Sequence, residues 1–202
     1  MDKSNDSIRA ELTRARLLDA AMGLFARRGV AATTVGDIES AAGLAPRSGA
    51  LYKYFGAKDE LLTAGLERHL STVRDLATEL TLQPLGEPRA ELTLLARWLL
   101  DELENERDIT HVLERDGEQV TALRDRMRSE ISDQGYRIGA HVIGRWRADI
   151  PEPQRERLAV VLVGALINYK RSTWTLGAAP LGVPAEQICD TWVDTCLAVL
   201  WT

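Results

Sequence analysis

Residues 33–62 read TTVGDIESAAGLAPRSGALYKYFGAKDELL, two short helices with a turn between them. Thr33 or Thr34 can cap the first, and Asp37, three residues after Thr34, stands where a capping-box acid would. Val35, Ile38 and Ala42 form its inward face, and Gly43 ends it. Leu44-Ala45-Pro46 is a turn, and Pro46 suits the first position of a helix running to Tyr54, broken by Gly56. Upstream, Leu12, Ala15, Leu18, Met22 and Phe25 recur at helical spacing and predict a helix over 7–28 that stops at Gly29. Three helices in some fifty residues, the last two joined by a short turn, predict a helix-turn-helix, which sets its third helix in the major groove.

The residues of 46–54 suit that task. Arg47 and Ser48 occupy the predicted first turn, within reach of bases or phosphates, and Gly49 and Ala50 are small enough for close approach. Tyr52 and Tyr54 supply hydroxyls and Lys53 a charge, while Leu51 and Phe55 point inward. Between Leu44 and Lys58 the charges are Arg47, Lys53 and Lys58, with no acid. The whole chain carries −5, but residues 1–60 carry +1 and residues 61–202 carry −6. A local basic surface can bind phosphate on an acidic molecule because screening limits how far each patch is felt.

The segment resembles the N-terminal signature of the tetracycline-repressor (TetR) family, TT-x-x-x-I-A-x-x-A-G-V-S-x-G-x-L-Y-x-Y-F-x-x-K-x-x-L, from about Leu17 to Leu62. The resemblance implies an all-α fold: a three-helix DNA-binding domain over residues 1–56, then a six-helix ligand-binding and dimerisation bundle over 57–202. It implies that Thr34, Gly49, Ala50, Tyr52, Lys53, Tyr54 and Lys58 face DNA, with Lys58 reaching a phosphate. In the pattern six steps separate the glycine from the leucine of Leu-Tyr; here Gly43 to Leu51 is eight. Two extra residues in 45–48 lengthen either the turn or the recognition helix, and the sequence leaves both open.

Further helices are predicted at 58–80, 90–107, 109–116, 118–148, 153–176 and 185–200, nine in all, with 84–88 and 177–184 as loops. The last two long helices are apolar over more than one stripe. In the family such helices pair with their partner-chain copies, so Leu158, Val161, Leu162, Trp192, Cys196 and Val199 are candidates for a homodimer seam. Trp98, His111, Tyr136, His141, Tyr169 and Trp174 are large side chains with polar handles and are candidates to line a small-molecule site.

Cys189 and Cys196 sit two helical turns apart and read as reduced, packed thiols. No metal or cofactor set is present: the three histidines are scattered, and the common nucleophile, zinc and phosphate-loop motifs are missing, which argues against an enzyme. No apolar run approaches a membrane span, and the first residues lack a secretory apolar stretch, so the expectation is cytoplasmic. The reading is a ligand-responsive repressor that a small molecule of unknown identity releases from a palindromic double-stranded DNA operator. The alternative is a helical ligand-binding or adaptor protein that no longer reads DNA. Such a protein would be expected to lack Arg47, Lys53 and Lys58, and all three are present.

Overall fold

The computed structural model describes residues 3–82 and 86–201, and within them the chain is all-helical with no strand. Nine α-helices follow one another among these residues: α1 (Lys3–Arg28), α2 (Val35–Ala41), α3 (Lys58–Leu82), α4 (Pro88–Asn105), α5 (Arg107–Asp116), α6 (Thr121–Arg126), α7 (Asp133–Trp146), α8 (Glu152–Leu176) and α9 (Ala185–Leu200). A single 3-10 turn, Leu51–Lys53, stands where the sequence predicts a helix from Pro46 to Tyr54. Six residues of π-helix, Met127–Ser132, join α6 to α7 inside what reads as one long helix. Of the loop predicted at 84–88, Pro84 and Leu85 lie outside the described residues.

The chain forms two compact units. The first comprises Met1–Leu70 and Arg107–Met127, and the second Ser71–Glu106 and Arg128–Thr202. In the first, α1 packs against α2 and α5. Leu17, Leu18, Ala21, Met22 and Phe25 are its buried face, whereas Leu12 is 62% exposed and Ala15 is exposed as well. The inward stripe of α1 therefore begins at Leu17, five residues after Leu12. Gly65 lets α3 approach α1: a Cβ there would lie 2.9 Å from the Met22 sulfur.

α2 is short enough to depend on its ends. Thr34 Oγ1 accepts from the Asp37 N–H at 3.2 Å, and the Asp37 carboxylate accepts from the Thr34 N–H at 3.0 Å, a complete capping box. At the other end Gly43 has φ +73°, its N–H donates to Ser40 O, and the Leu44 N–H donates back to Glu39 O. That pair of bonds is a Schellman motif, which needs the left-handed conformation glycine adopts without cost.

In the second unit α7 packs on α8, and α4 packs on α8 and α9. One apolar cluster holds Leu92, Ala140, Ile143, Ile150, Ala159, Leu162, Val193, Cys196 and Leu200. A second holds Ala96, Leu100, Leu103, Leu166, Tyr169 and Cys189. Gly139 allows the close approach of α7 to α8, its missing Cβ lying 3.3 Å from the Ala159 Cβ. Both cysteines are free and buried, and burial pushes the Cys196 thiol up to about 12.

Candidate nucleic-acid interface

The turn that follows α2 sets the geometry of the site. Between Gly43 and Leu51 the chain forms no α-helix, and two residues take positive φ: Arg47 at 59° and Gly49 at 71°. The two extra residues thus lengthen the turn, and the recognition element shrinks to one 3-10 turn. The helix predicted over Pro46–Tyr54 is corrected accordingly, and the reason lies in where the backbone donors go. The Ser48 and Leu51 N–H groups both donate, at 3.0 Å each, to the carboxylate of Glu39 on α2. An α-helix beginning at Pro46 would have turned Leu51 onto the carbonyl of Arg47, which the left-handed Arg47 places out of line.

Glu39 is the residue that sequence reasoning missed. Its side chain has 0% exposure, although it lies one step from inward-facing Ile38 and reads as a solvated charge. The Leu51 N–H, then the Ser48 N–H, hold its carboxyl below the ordinary glutamate range, with burial acting in the opposite sense. The only local hint was the absence of any cation three or four residues away on α2.

Beyond this anchor the 3-10 turn closes with Tyr52 N–H on Gly49 O at 3.2 Å, Lys53 N–H on Ala50 O at 3.2 Å and Tyr54 N–H on Leu51 O at 2.9 Å. Leu51 and Phe55 are buried, as their inward reading requires, and the Arg14 guanidinium lies over the Phe55 ring at 4.8 Å. Tyr52 and Lys53 are exposed side by side, with Gly49, Ala50 and Tyr54 half-buried. Arg47 and Ser48 are exposed on the preceding turn, and Arg47 lies beside Gly36, where a Cβ would come within 3.3 Å of its Cγ. The structure thus gathers Arg47 to Tyr54 on one basic stretch, with Asp37 on α2 near enough to Arg47 to feel its charge.

Thr34 and Lys58 stand apart from that group in their bonding. The Thr34 hydroxyl donates to Asp37 at 2.7 Å and so completes the cap of α2. The Lys58 ammonium donates to Val30 O at 2.8 Å and to Thr33 O at 3.1 Å. Two of its three N–H groups thereby fasten the start of α3 to the loop between α1 and α2.

A family model described as bacterial regulatory proteins, tetR family, matches residues 17–64. Over 199 residues the chain is 30% identical to ArpR, a probable HTH-type transcriptional regulator of Pseudomonas putida, covering 95% of this chain and 92% of that protein. The chain belongs to the TetR family. It is likewise 31% identical over 200 residues to TtgR, an HTH-type transcriptional regulator of Pseudomonas putida, again 95% and 92% of the two chains. A TetR-like transcriptional regulator from a Rhodococcus species shares the fold, with TM-score 0.65 at 23% identity over 92% of this chain and 96% of that one. As a TetR-family member the protein is a DNA-binding, helix-turn-helix transcriptional regulator.

The remaining candidates separate by environment. His111 is on α5 in the first unit, while Trp98, Tyr136, His141, Tyr169 and Trp174 belong to the second. The Tyr169 hydroxyl donates to Val183 O at 3.0 Å, and the Trp174 indole N–H donates to the Glu104 carboxylate at 3.1 Å. His141 is exposed, and Trp98 and Tyr136 are half-buried. Among the seam candidates, Leu162 and Cys196 prove to be intrachain core, Cys196 at 1% exposure. Leu158 and Trp192 pack against the same cluster, with the Trp192 N–H on Leu162 O at 2.7 Å. Val161, 70% exposed, and Val199 face outward.

Proposed function

We propose that this TetR-family regulator is a dimeric, ligand-responsive repressor that binds a palindromic double-stranded DNA operator and leaves it when a small molecule binds. The observation that carries the DNA assignment is the anchored turn: Tyr52 and Lys53 project from a fixed backbone, with Arg47 and Ser48 on the preceding turn and Gly49, Ala50 and Tyr54 beside them. Exposed hydroxyl, ammonium and guanidinium groups on a rigid element are what phosphate positioning and base reading require. Thr34 and Lys58 flank this face, their own groups engaged in the protein.

The support for a homodimer is apolar surface on α8 and α9. Val160, Val161, Ala165 and Leu176 are exposed on α8, and Val199 is exposed on α9. Apolar side chains left outside the core in this number mark an association site, and two-fold pairing fits a palindrome. The effector site is assigned to the bundle of α4, α7 and α8, where Trp98, Tyr136, Tyr169 and Trp174 supply aromatic surface. His141 is its weaker member, and His111 belongs to the other unit. Among the described residues no helix is long and apolar enough to cross a membrane, and a DNA-binding role puts the protein in the cytoplasm.

A mobility shift with DNA from upstream of the protein's own gene tests the reading. Retarded DNA, released by compounds that raise the protein's melting temperature, is the expected result. If such compounds never alter the shift, the ligand-responsive half of the proposal is wrong.

A further inference from the structure

We propose that Glu39 is the positioning residue of the DNA-reading turn, a buried carboxylate that replaces the backbone acceptors lost when the turn was lengthened by two residues. The inference rests on the DNA-binding role of the turn and adds a mechanism by which this chain keeps that role.

Three observations converge on it. The segment from Gly43 to Leu51 is two residues longer than the signature allows, and the same chain carries a glutamate where the signature has the alanine after isoleucine. The lengthened turn takes Arg47 and Gly49 through positive φ, so the start of the 3-10 turn lacks the carbonyls a helix would have offered. Both Glu39 carboxylate oxygens are spent on the donors this leaves, Oε2 on the Ser48 N–H and Oε1 on the Leu51 N–H, nine and twelve residues away. A buried carboxylate is costly, and the Leu51 and Ser48 N–H groups are the direct donors that stabilise it. Ser48 adds a third tie by accepting the Ala50 N–H on its hydroxyl at 3.3 Å. The donors on either side of Gly49 are thus fixed to one point on α2, and Tyr52 and Lys53 follow in a defined direction.

The test uses the full chain with Glu39→Gln, which keeps the volume and removes one acceptor. A glutamine carbonyl can take one of the two N–H groups, and its NH2 then opposes the other. The DNA probe is a duplex selected from a random-sequence pool by the wild-type protein, and binding is read alongside backbone amide exchange. The expected result is about tenfold weaker binding, with faster exchange at Ser48 and Leu51 while α1 and α2 stay protected. Binding within about threefold of wild type overturns the proposal. So does faster exchange throughout α1 and α2, which would make Glu39 a general folding residue. Weaker binding with unchanged exchange at Ser48 and Leu51 also overturns it, since the carboxylate would then act by another route. Failure of the wild-type protein to select any duplex would instead strike the DNA-binding reading itself.

Discussion

The Asp116 carboxylate accepts the Val30 N–H at 2.9 Å, so the last residue of α5 holds the loop between α1 and α2. Lys58 takes the Val30 carbonyl from the other side, and the Thr33 hydroxyl donates to Gly29 O at 2.8 Å. The loop that delivers the capping residue of α2 is thus held by side chains from two different helices. Asp116→Ala should leave the Val30 N–H unpaired and destabilise the first unit by about 1–3 kcal/mol. Asp116→Asn, which keeps an acceptor, should recover most of that loss. Thermal melting with amide exchange at Val30 checks both, and equal behaviour of the two variants would contradict the assignment.

On the proposed reading, Lys58 affects DNA binding through this loop. Lys58→Ala should weaken binding to every duplex alike while leaving the salt dependence unchanged, because its ammonium serves carbonyls of the protein. A phosphate ligand would instead lower the slope of log affinity against log salt by about 0.9. Titrations at several salt concentrations separate the two outcomes.

Arg47 occupies left-handed backbone in a turn, not the tip of a helix. Arg47→Gly should relieve about 1–2 kcal/mol of strain, partly offset by a freer unfolded chain, and leave the first unit no less stable than wild type. Across operators with single base changes, Arg47→Ala should lose affinity uniformly or not at all. A loss concentrated at one base pair would show that Arg47 reads a base.

Much of the N-terminal unit was legible because its signals are local. Thr34 and Asp37 sit three residues apart, Gly43 closes the helix they open, and Leu51 and Phe55 point inward at helical spacing. The third helix was misread for the opposite reason. Its donors are taken by Glu39, up to twelve residues back, and no propensity or capping rule looks that far. Which faces of α8 and α9 are core was less legible. α8 and α9 are apolar on several faces, so periodicity could not separate the core residues Leu162 and Cys196 from the outward Val161 and Val199.

That separation yields a direct test of the proposed dimer. Val161→Glu should weaken association and leave the melting temperature of the monomer nearly unchanged. Cys196→Glu places an unpaired charge in a buried cluster and should unfold the second unit. Sedimentation and circular dichroism on the two variants check this. If Val161→Glu unfolds the protein, the outward face of α8 is not a free surface.

Glu106, at the end of α4, is buried, and burial with the nearby Glu102 charge pushes its carboxyl up to about 8. Its folded pKa lies above the unfolded one, so the folded state holds a proton that the unfolded chain has released. Stability should therefore fall as pH rises from the ordinary glutamate range to about 8, and level off above that. Glu106→Gln should flatten this dependence and melt higher than wild type at pH values above it. Melting curves across that range check the sign, and a wild type that gains stability on alkalinisation would contradict it.

The most direct test of the central claim is the affinity of Tyr52→Ala and Lys53→Ala for the selected duplex against random-sequence DNA. Both residues are exposed, so neither substitution should disturb the fold. The account predicts that each variant keeps its melting temperature, and that Lys53→Ala loses affinity for both DNAs with a smaller salt slope. Tyr52→Ala should lose its preference for the selected duplex. Wild-type preference retained in both variants would contradict a reading turn at Ala50–Tyr54.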